Sequence, residues 1–134
     1  MLAGREHSRA ELQRKLAARG HTTGAVEKVL DDLQGRGLLD DRRFAEQYAR
    51  MRVRKGYGPL RIRAELRERG IDTATIGVLL DAGSYDWREL LREVRLKRFG
   101  PQKPAVRAEQ ARKARFLSQR GFPESIERAA LLGD

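Results

Sequence analysis

Arginine and lysine are the side chains with which this chain of 134 residues could do chemistry: 29 Lys plus Arg stand against 19 Asp plus Glu, a formal charge of +10. That chemistry is the neutralisation of a polyanion, with nucleic acid first and an anionic membrane surface or an acidic protein face behind it. The other reactive types are scarce. The absence of cysteine excludes a disulfide framework, a thiolate metal site and a cysteine nucleophile. The two imidazoles, His7 in a helix cap and His21 at a helix junction, read as packed or solvated rather than as ligands or bases. Asp40 and Asp41 read as a helix cap, since no third oxygen donor for a metal lies near them in sequence. No constellation is catalytic, so the expectation is a binding protein, not an enzyme, with no cofactor and no metal. No stretch approaches the ~20 consecutive apolar residues of a membrane span, and Met1 to Ala10 has no apolar signal-peptide core. A soluble, cytoplasmic, monomeric protein with no membrane partner is expected.

The charge is concentrated. Residues 50–70 carry 8 basic and 2 acidic side chains and residues 88–115 carry 10 and 3, whereas residues 71–87 hold 3 acids and no base. The first block supplies Arg50, Arg52, Arg54, Lys55, Arg61, Arg63 and Arg67 as candidate partner- or DNA-binding residues, and the second Arg95, Lys97, Arg98, Lys103, Arg107, Arg112, Lys113 and Arg115. Arg61 and Arg63 read as exposed phosphate ligands whose loss would weaken binding without unfolding the chain. A solvated helix surface would also hold arginines, paired along the helix as in Glu46 with Arg50, Glu65 with Arg69 and Glu89 with Arg92. Most of these bases, however, have no acid within one turn. Within the first block, Lys55-Gly56-Tyr57-Gly58-Pro59 serves equally as a tight inter-helix turn with Tyr57 packed into it and as a contact surface where Tyr57 stacks on a base or a partner. It lacks the ending of a phosphate-binding P-loop.

The elements that must position these residues are helices. Val, Ile and Thr are few, and no segment alternates apolar and polar for long. Arg-Gly recurs at Arg19-Gly20-His21, Arg69-Gly70-Ile71 and Arg120-Gly121-Phe122, spaced 50 and 51 residues apart, each with a leucine three positions before the arginine. Such self-similarity marks a tandem array. Ser8 with Glu11 forms a capping-box pattern, Thr22 or Thr23 caps a second helix with Val26, Val29, Leu30 and Leu33 on one face, and Asp40-Asp41 open a third with Phe44, Tyr48 and Met51. Pro59 suits a first helical position. Asp72 caps the next helix, with Ile71 and Ile76 as a hydrophobic staple, and Trp87, Leu90, Leu91 and Val94 form a further stripe. Ile126, Ala129 and Ala130 mark a last, short helix. The predicted fold is all-α: helix-turn-helix-like three-helix repeats over 1–54 and 55–100 and a partial, two-helix repeat over 101–134, in an elongated curved array. The second helices, which a helix-turn-helix reader would use on bases, hold one basic residue between them, Lys28.

Taken in order, Arg5-Glu6-His7-Ser8, Glu11-Leu12, Gly37-Leu38-Leu39-Asp40-Asp41, Phe44-Ala45, Tyr48, Arg52, Gly56-Tyr57-Gly58-Pro59, Arg61-Ile62, Glu65-Leu66 and Gly70-Ile71 resemble the RecX family, and the likeness runs to Arg120-Gly121-Phe122. The resemblance implies a bacterial regulator of the RecA recombinase, made of tandem three-helix repeats. Such a regulator binds the recombinase filament along its groove, suppresses its ATPase, coprotease and strand-exchange activities, and binds single- or double-stranded DNA. It would thereby act in homologous recombination, DNA repair and the SOS response. The resemblance also implies that Lys55, Gly56, Tyr57, Gly58, Pro59, Arg61 and Ile62 form a shared motif. The alternative is a sequence-independent DNA-binding protein acting by competition for DNA.

Overall fold

The computed structural model describes residues 5–81, 83–101 and 106–133. Among them the chain is all-α, with helices α1 (Arg9–Ala18), α2 (Thr23–Gly35), α3 (Asp41–Arg54), α4 (Pro59–Glu68), α5 (Thr73–Leu80), α6 (Trp87–Phe99), α7 (Arg107–Gln119) and α8 (Glu124–Gly133). Most begin as their caps dictate. Ser8 Oγ accepts from the Glu11 amide while Glu11 Oε1 accepts from the Ser8 amide, both at 3.1 Å, and Thr22, Asp40, Asp72 and Asp86 each accept from an amide three residues on. Three of the helix pairs are joined by the Arg-Gly turns, so the repeat seen in sequence is one of structure. The side chains of Ala129 and Ala130 lie outside the described residues.

Apolar burial groups the helices with a different phase from the expected boundaries. Leu12 of α1 packs with Val26 and Leu30 of α2 and with Leu39. Phe44, Ala45 and Ala49 of α3 pack forward, against Ile62 and Leu66 of α4 and Ile71, Ile76 and Leu80 at α5. Leu91 of α6 joins Leu117 and Phe122 of α7–α8. The three-helix units are therefore α3–α4–α5 and α6–α7–α8, preceded by the α1–α2 pair. The breaks expected at 54/55 and 100/101 fall inside two of these cores. The physical reason is that α3 is amphipathic and could bury its small-residue face, Ala45 and Ala49, against either neighbour, and the closer approach is to α4 and α5. Trp87 departs from its stripe as well, packing back on the second core with its indole Nε1 donating to Leu80 O at 3.0 Å. Val29 is 48% exposed rather than buried.

The last two units meet through backbone. Gly58 is the N-cap of α4 and has no side chain to satisfy the first amides of the helix. The Arg120-Gly121 turn does so instead: the Gly58 amide donates to Arg120 O at 2.7 Å and the Leu60 amide to Gly121 O at 2.9 Å. The approach is so close that a Cβ on Gly58 would lie 2.6 Å from Gly121 O, and one on Gly121, whose φ is +98°, would lie 2.4 Å from Arg61 Cβ. The turn before it docks in a related way, Gly70 against Ala10 of α1 with Arg14 Nη2 donating to Glu68 O at 2.9 Å. The α1–α2 turn has Gly20 at φ +87° with nothing within 4 Å.

Two of the buried ionisable groups carry a polar atom without a partner. His7 is packed, with Nε2 3.1 Å from Lys15 Nζ and Nδ1 unpartnered. Burial, then Arg5 and Lys15, holds its pKa below that of a free imidazole. Glu127 of α8 is 8% exposed with Oε1 unpartnered, and burial, helped by Glu124, pushes its carboxyl above the usual range.

Two predictions follow from this packing. Gly20→Ala strains a left-handed turn alone and is expected to cost about 1 kcal/mol, whereas Gly121→Ala adds a steric conflict with Arg61 and is expected to cost about 1–3 kcal/mol more. Urea denaturation of both variants measures the difference, and equal losses would show that the joint contributes nothing. For Glu127, the raised pKa means the protonated form is favoured in the fold, so this group's stabilisation is present in acid and is lost as pH rises through the folded value. Glu127→Gln is accordingly expected to raise the melting temperature at neutral pH and to have little effect in acid.

Candidate functional site

The first basic block folds around one carboxylate. Glu65 of α4 is only 16% exposed. Its Oε1 accepts from Tyr48 Oη at 2.9 Å and Arg52 Nε at 2.8 Å, and its Oε2 from Arg52 Nη2 at 2.9 Å and Arg61 Nε at 3.2 Å. A bidentate guanidinium on a half-buried carboxylate is a strong pairing. Burial alone would raise the Glu65 carboxyl, but the hydrogen bonds from Arg52, Tyr48 and Arg61 outweigh it and hold the carboxyl below the usual range. The pairing expected with Arg69 is replaced. Helical side chains lean toward the N-terminal end of their helix, where Arg61 and, across from α3, Arg52 are placed. Arg69 instead donates to Glu65 O, lies 4.5 Å from the Tyr48 ring and is 3.9 Å from Glu11. Glu46 likewise pairs with Arg42 at 3.2 Å rather than with Arg50, while Glu89 does pair with Arg92 at 3.2 Å.

Tyr57 is the other centre. Its ring is approached by Arg52 at 3.8 Å, Arg61 at 4.5 Å and Arg120 at 4.6 Å. Cation–π contacts of this kind are worth more as they are desolvated. Arg120 Nη1 also donates to Lys55 O at 2.9 Å and Arg61 Nη1 to Gln119 O at 3.1 Å. Of the two uses weighed for Lys55–Pro59, the turn and packing role is the one seen here: the Tyr57 ring carries three guanidiniums.

The candidate residues thus divide. Arg52, 14% exposed, is locked between Glu65 and Tyr57. Arg61 belongs to the joint and Arg63 is paired with Asp81 at 2.5 Å, so their joint removal would disturb structure as well as surface charge. Lys113 is buried, its ammonium 3.7 Å from Glu109 and 5.2 Å from the Phe99 ring. It occupies the repeat position filled by Leu12 and Ile62 in the other units, and its aliphatic stem substitutes for theirs. Arg95 is half-buried and partnered. Arg50, Arg54, Lys55 and Arg67 in the first block, and Lys97, Arg98, Arg107, Arg112 and Arg115 in the second, face solvent, Arg98 lying 5.2 Å from the Phe116 ring. Lys103 lies outside the described residues. Sequence reasoning missed Glu65 as the hub and Arg120 as a member, because Arg120 is more than 60 residues from Tyr57 and only the Arg-Gly repeat marked it. Helices α2 and α5, the expected second helices of the first two repeats, hold Lys28 alone among bases.

Glu65→Ala is expected to destabilise the chain by about 2–3 kcal/mol at neutral pH, because it strands Arg52 and Tyr48. Since the carboxyl is depressed in the fold, its contribution is present above the unfolded carboxyl value and lost as pH falls through the folded one. The gap between wild type and variant in urea denaturation should therefore narrow as pH falls below the ordinary carboxylate range and close once it is below the folded value. A gap that persists in acid would show that Glu65 acts through packing rather than charge.

This arrangement has known counterparts. Residues 1–33 match the model described as RecX, first three-helix domain, and residues 40–77 match RecX, second three-helix domain; the second span covers α3, α4 and most of α5, the unit seen in the packing. The regulatory protein RecX of Halorhodospira halophila is 49% identical over 130 residues, 97% of this chain and 81% of the relative. That of Pseudomonas fluorescens is 44% identical over 122 residues, 91% and 79% of the two chains. A crystal structure of a regulatory protein RecX superimposes with a TM-score of 0.80 at 26% identity, covering 96% of this chain and 65% of that one. RecX from Lactobacillus salivarius shares the fold, with a TM-score of 0.80, 20% identity and coverage of 98% and 88%. By sequence over nearly its whole length and by fold, the chain belongs to the RecX family of regulatory proteins.

Proposed function

We propose that this chain regulates a RecA-type recombinase by lying on the recombinase–DNA filament and restraining it. In this reading it inhibits the filament's ATPase, coprotease and strand-exchange activities, contacts DNA phosphates as an accessory, and performs no catalysis of its own. It works as a monomer in the cytoplasm, within recombination, DNA repair and the SOS response. The observation that carries the reading, beyond family membership, is the division of the cations. One set holds units 2 and 3 together around Glu65 and Tyr57, while Arg54, Lys55 and Arg67 on one side of the joint and Arg107, Arg112 and Arg115 on the other face solvent. Positive side chains carried on two units joined through backbone suit a long, repetitive polyanionic or filamentous partner. Contact is read as independent of base sequence, since α2 and α5 hold one basic side chain between them, Lys28. No helix among the described residues is long and apolar enough to cross a membrane.

The test is recombinase ATPase measured with the chain present and with DNA in large excess. Inhibition that survives excess DNA is expected, and inhibition that vanishes leaves only competition for DNA, the alternative reading. Arg112→Glu with Arg115→Glu is expected to reduce DNA affinity without shifting the melt by more than about 0.5 kcal/mol. DNA affinity is also expected to fall with salt, with a log–log slope of about −0.9 per phosphate neutralised on duplex. A flat salt response would remove the phosphate term.

A further inference from the structure

We propose that the cleft between the start of α1 and the outer face of α3 docks an acidic amphipathic helix presented by a protein partner. The proposal does not depend on the recombinase reading, since it concerns the chemistry of the docked segment and not which protein carries it. The cleft has a volume of about 470 Å³, within the range of built binding sites, and lies at a junction between packing units, where such sites concentrate. One wall is a single stripe of α3: Gln47, Arg50, Met51 and Arg54, at i, i+3, i+4 and i+7. This stripe is separate from Ala45 and Ala49, which α3 buries against α4 and α5. The floor is apolar, from the edges of Phe44 and Tyr48 and the Met51 thioether, and a Met-lined surface adapts to varied aliphatic side chains.

The charges point to an acidic occupant. The two carboxylates lining the cleft are already neutralised, Glu6 by Arg43 and Glu11 by Arg5 at 3.0 Å and Arg69 at 3.9 Å. Arg50 and Arg54 make no ion pair among the described residues and are exposed. They stand one helical turn apart, about 6 Å, with Met51 beside them. A helix bearing two carboxylates one turn apart and an aliphatic side chain next to them meets this wall group for group. A nucleobase fits less well. The Tyr48 ring already stacks on Phe44 at 5.7 Å and carries the Arg69 guanidinium at 4.5 Å, and Phe44 is 4% exposed, so the floor offers edges and methyl groups rather than an open aromatic face for stacking.

The test is fluorescence anisotropy of the full chain with a labelled helical peptide of about 16 residues carrying Glu, Leu and Glu at i, i+1 and i+4. Binding to wild type is expected, weakened at least about tenfold when both glutamates become Gln, when Arg50→Glu is combined with Arg54→Glu, or when Met51→Ser is made. A peptide with Lys in place of both glutamates is expected to recover affinity for the Arg50→Glu, Arg54→Glu chain, which a general charge effect would not direct to this pair. If the double reversal alters the melt, Arg50→Gln with Arg54→Gln replaces it. No binding, equal binding of the Gln peptide, no loss on the α3 substitutions, or full displacement by an equimolar oligothymidylate of similar length would each overturn the proposal. The last outcome would make the cleft a nucleic-acid site.

Discussion

The unsatisfied start of α4 is the constraint around which the second and third units are arranged. A helix begins with amides that have no partner inside it. Here Pro59 removes one of them and fixes the entry, but Gly58 has no side chain with which to take up another. The carbonyls of Arg120 and Gly121 supply the missing acceptors. They can do so only because neither Gly58 nor Gly121 carries a Cβ, and because the left-handed Gly121 turns its carbonyl toward α4. A helix of the second unit is in effect capped by a turn of the third. By contrast α1 is capped by its own Ser8 and Glu11, and it meets the second unit mainly through side chains: Ala10 on Gly70, Arg14 on Glu68 O, and Asp41 accepting from the Arg9 amide at 2.8 Å.

Once that joint is made, the surrounding cations are apportioned. Arg120 is delivered to Tyr57 and to Lys55 O, Arg61 to Gln119 O, and both share the ring with Arg52, which Glu65 anchors from the other side. Like charges tolerate this proximity because a carboxylate, an aromatic face and two carbonyls lie among them. A positive charge counted along the sequence is therefore two populations. Guanidiniums that hold the joint are spent on structure, while others, such as Arg54 of α3, Arg67 of α4, Arg98 of α6 and Arg112 of α7, face solvent. The cleft beside α3 repeats the division at smaller scale, with Arg69 turned inward on Tyr48 and Arg50 and Arg54 left facing out.

Much of this was legible in the residues. The all-helical fold follows from composition and period, and the caps at Ser8, Thr22, Asp40 and Asp72, the proline start of α4 and the staple of Ile71 with Ile76 are local patterns that the structure repeats. The basic blocks were legible as charge. Which members face outward was not, since Arg52 and Arg54 differ by two positions on one helix and only the location of α4 makes one internal and the other exposed. Lys113 was read as surface from its type, although its place in the repeat, level with Leu12 and Ile62, already assigned it to a core.

The sequence by itself determined the helices, their ends and the 50- and 51-residue spacing of the Arg-Gly turns, because caps, glycine turns and apolar periods act over a few residues and need nothing distant. It left the phase of the repeat open. A period states how often a unit recurs but not where it begins, and α3 could be read as closing the α1–α2 pair or as opening the next unit. Only the tertiary structure decided that α3 opens it, by burying Ala45 and Ala49 against α4 and α5. It decided in the same way that the third Arg-Gly turn caps α4, because both are choices among surfaces far apart in the chain, made by close packing and by the need of buried amides for acceptors.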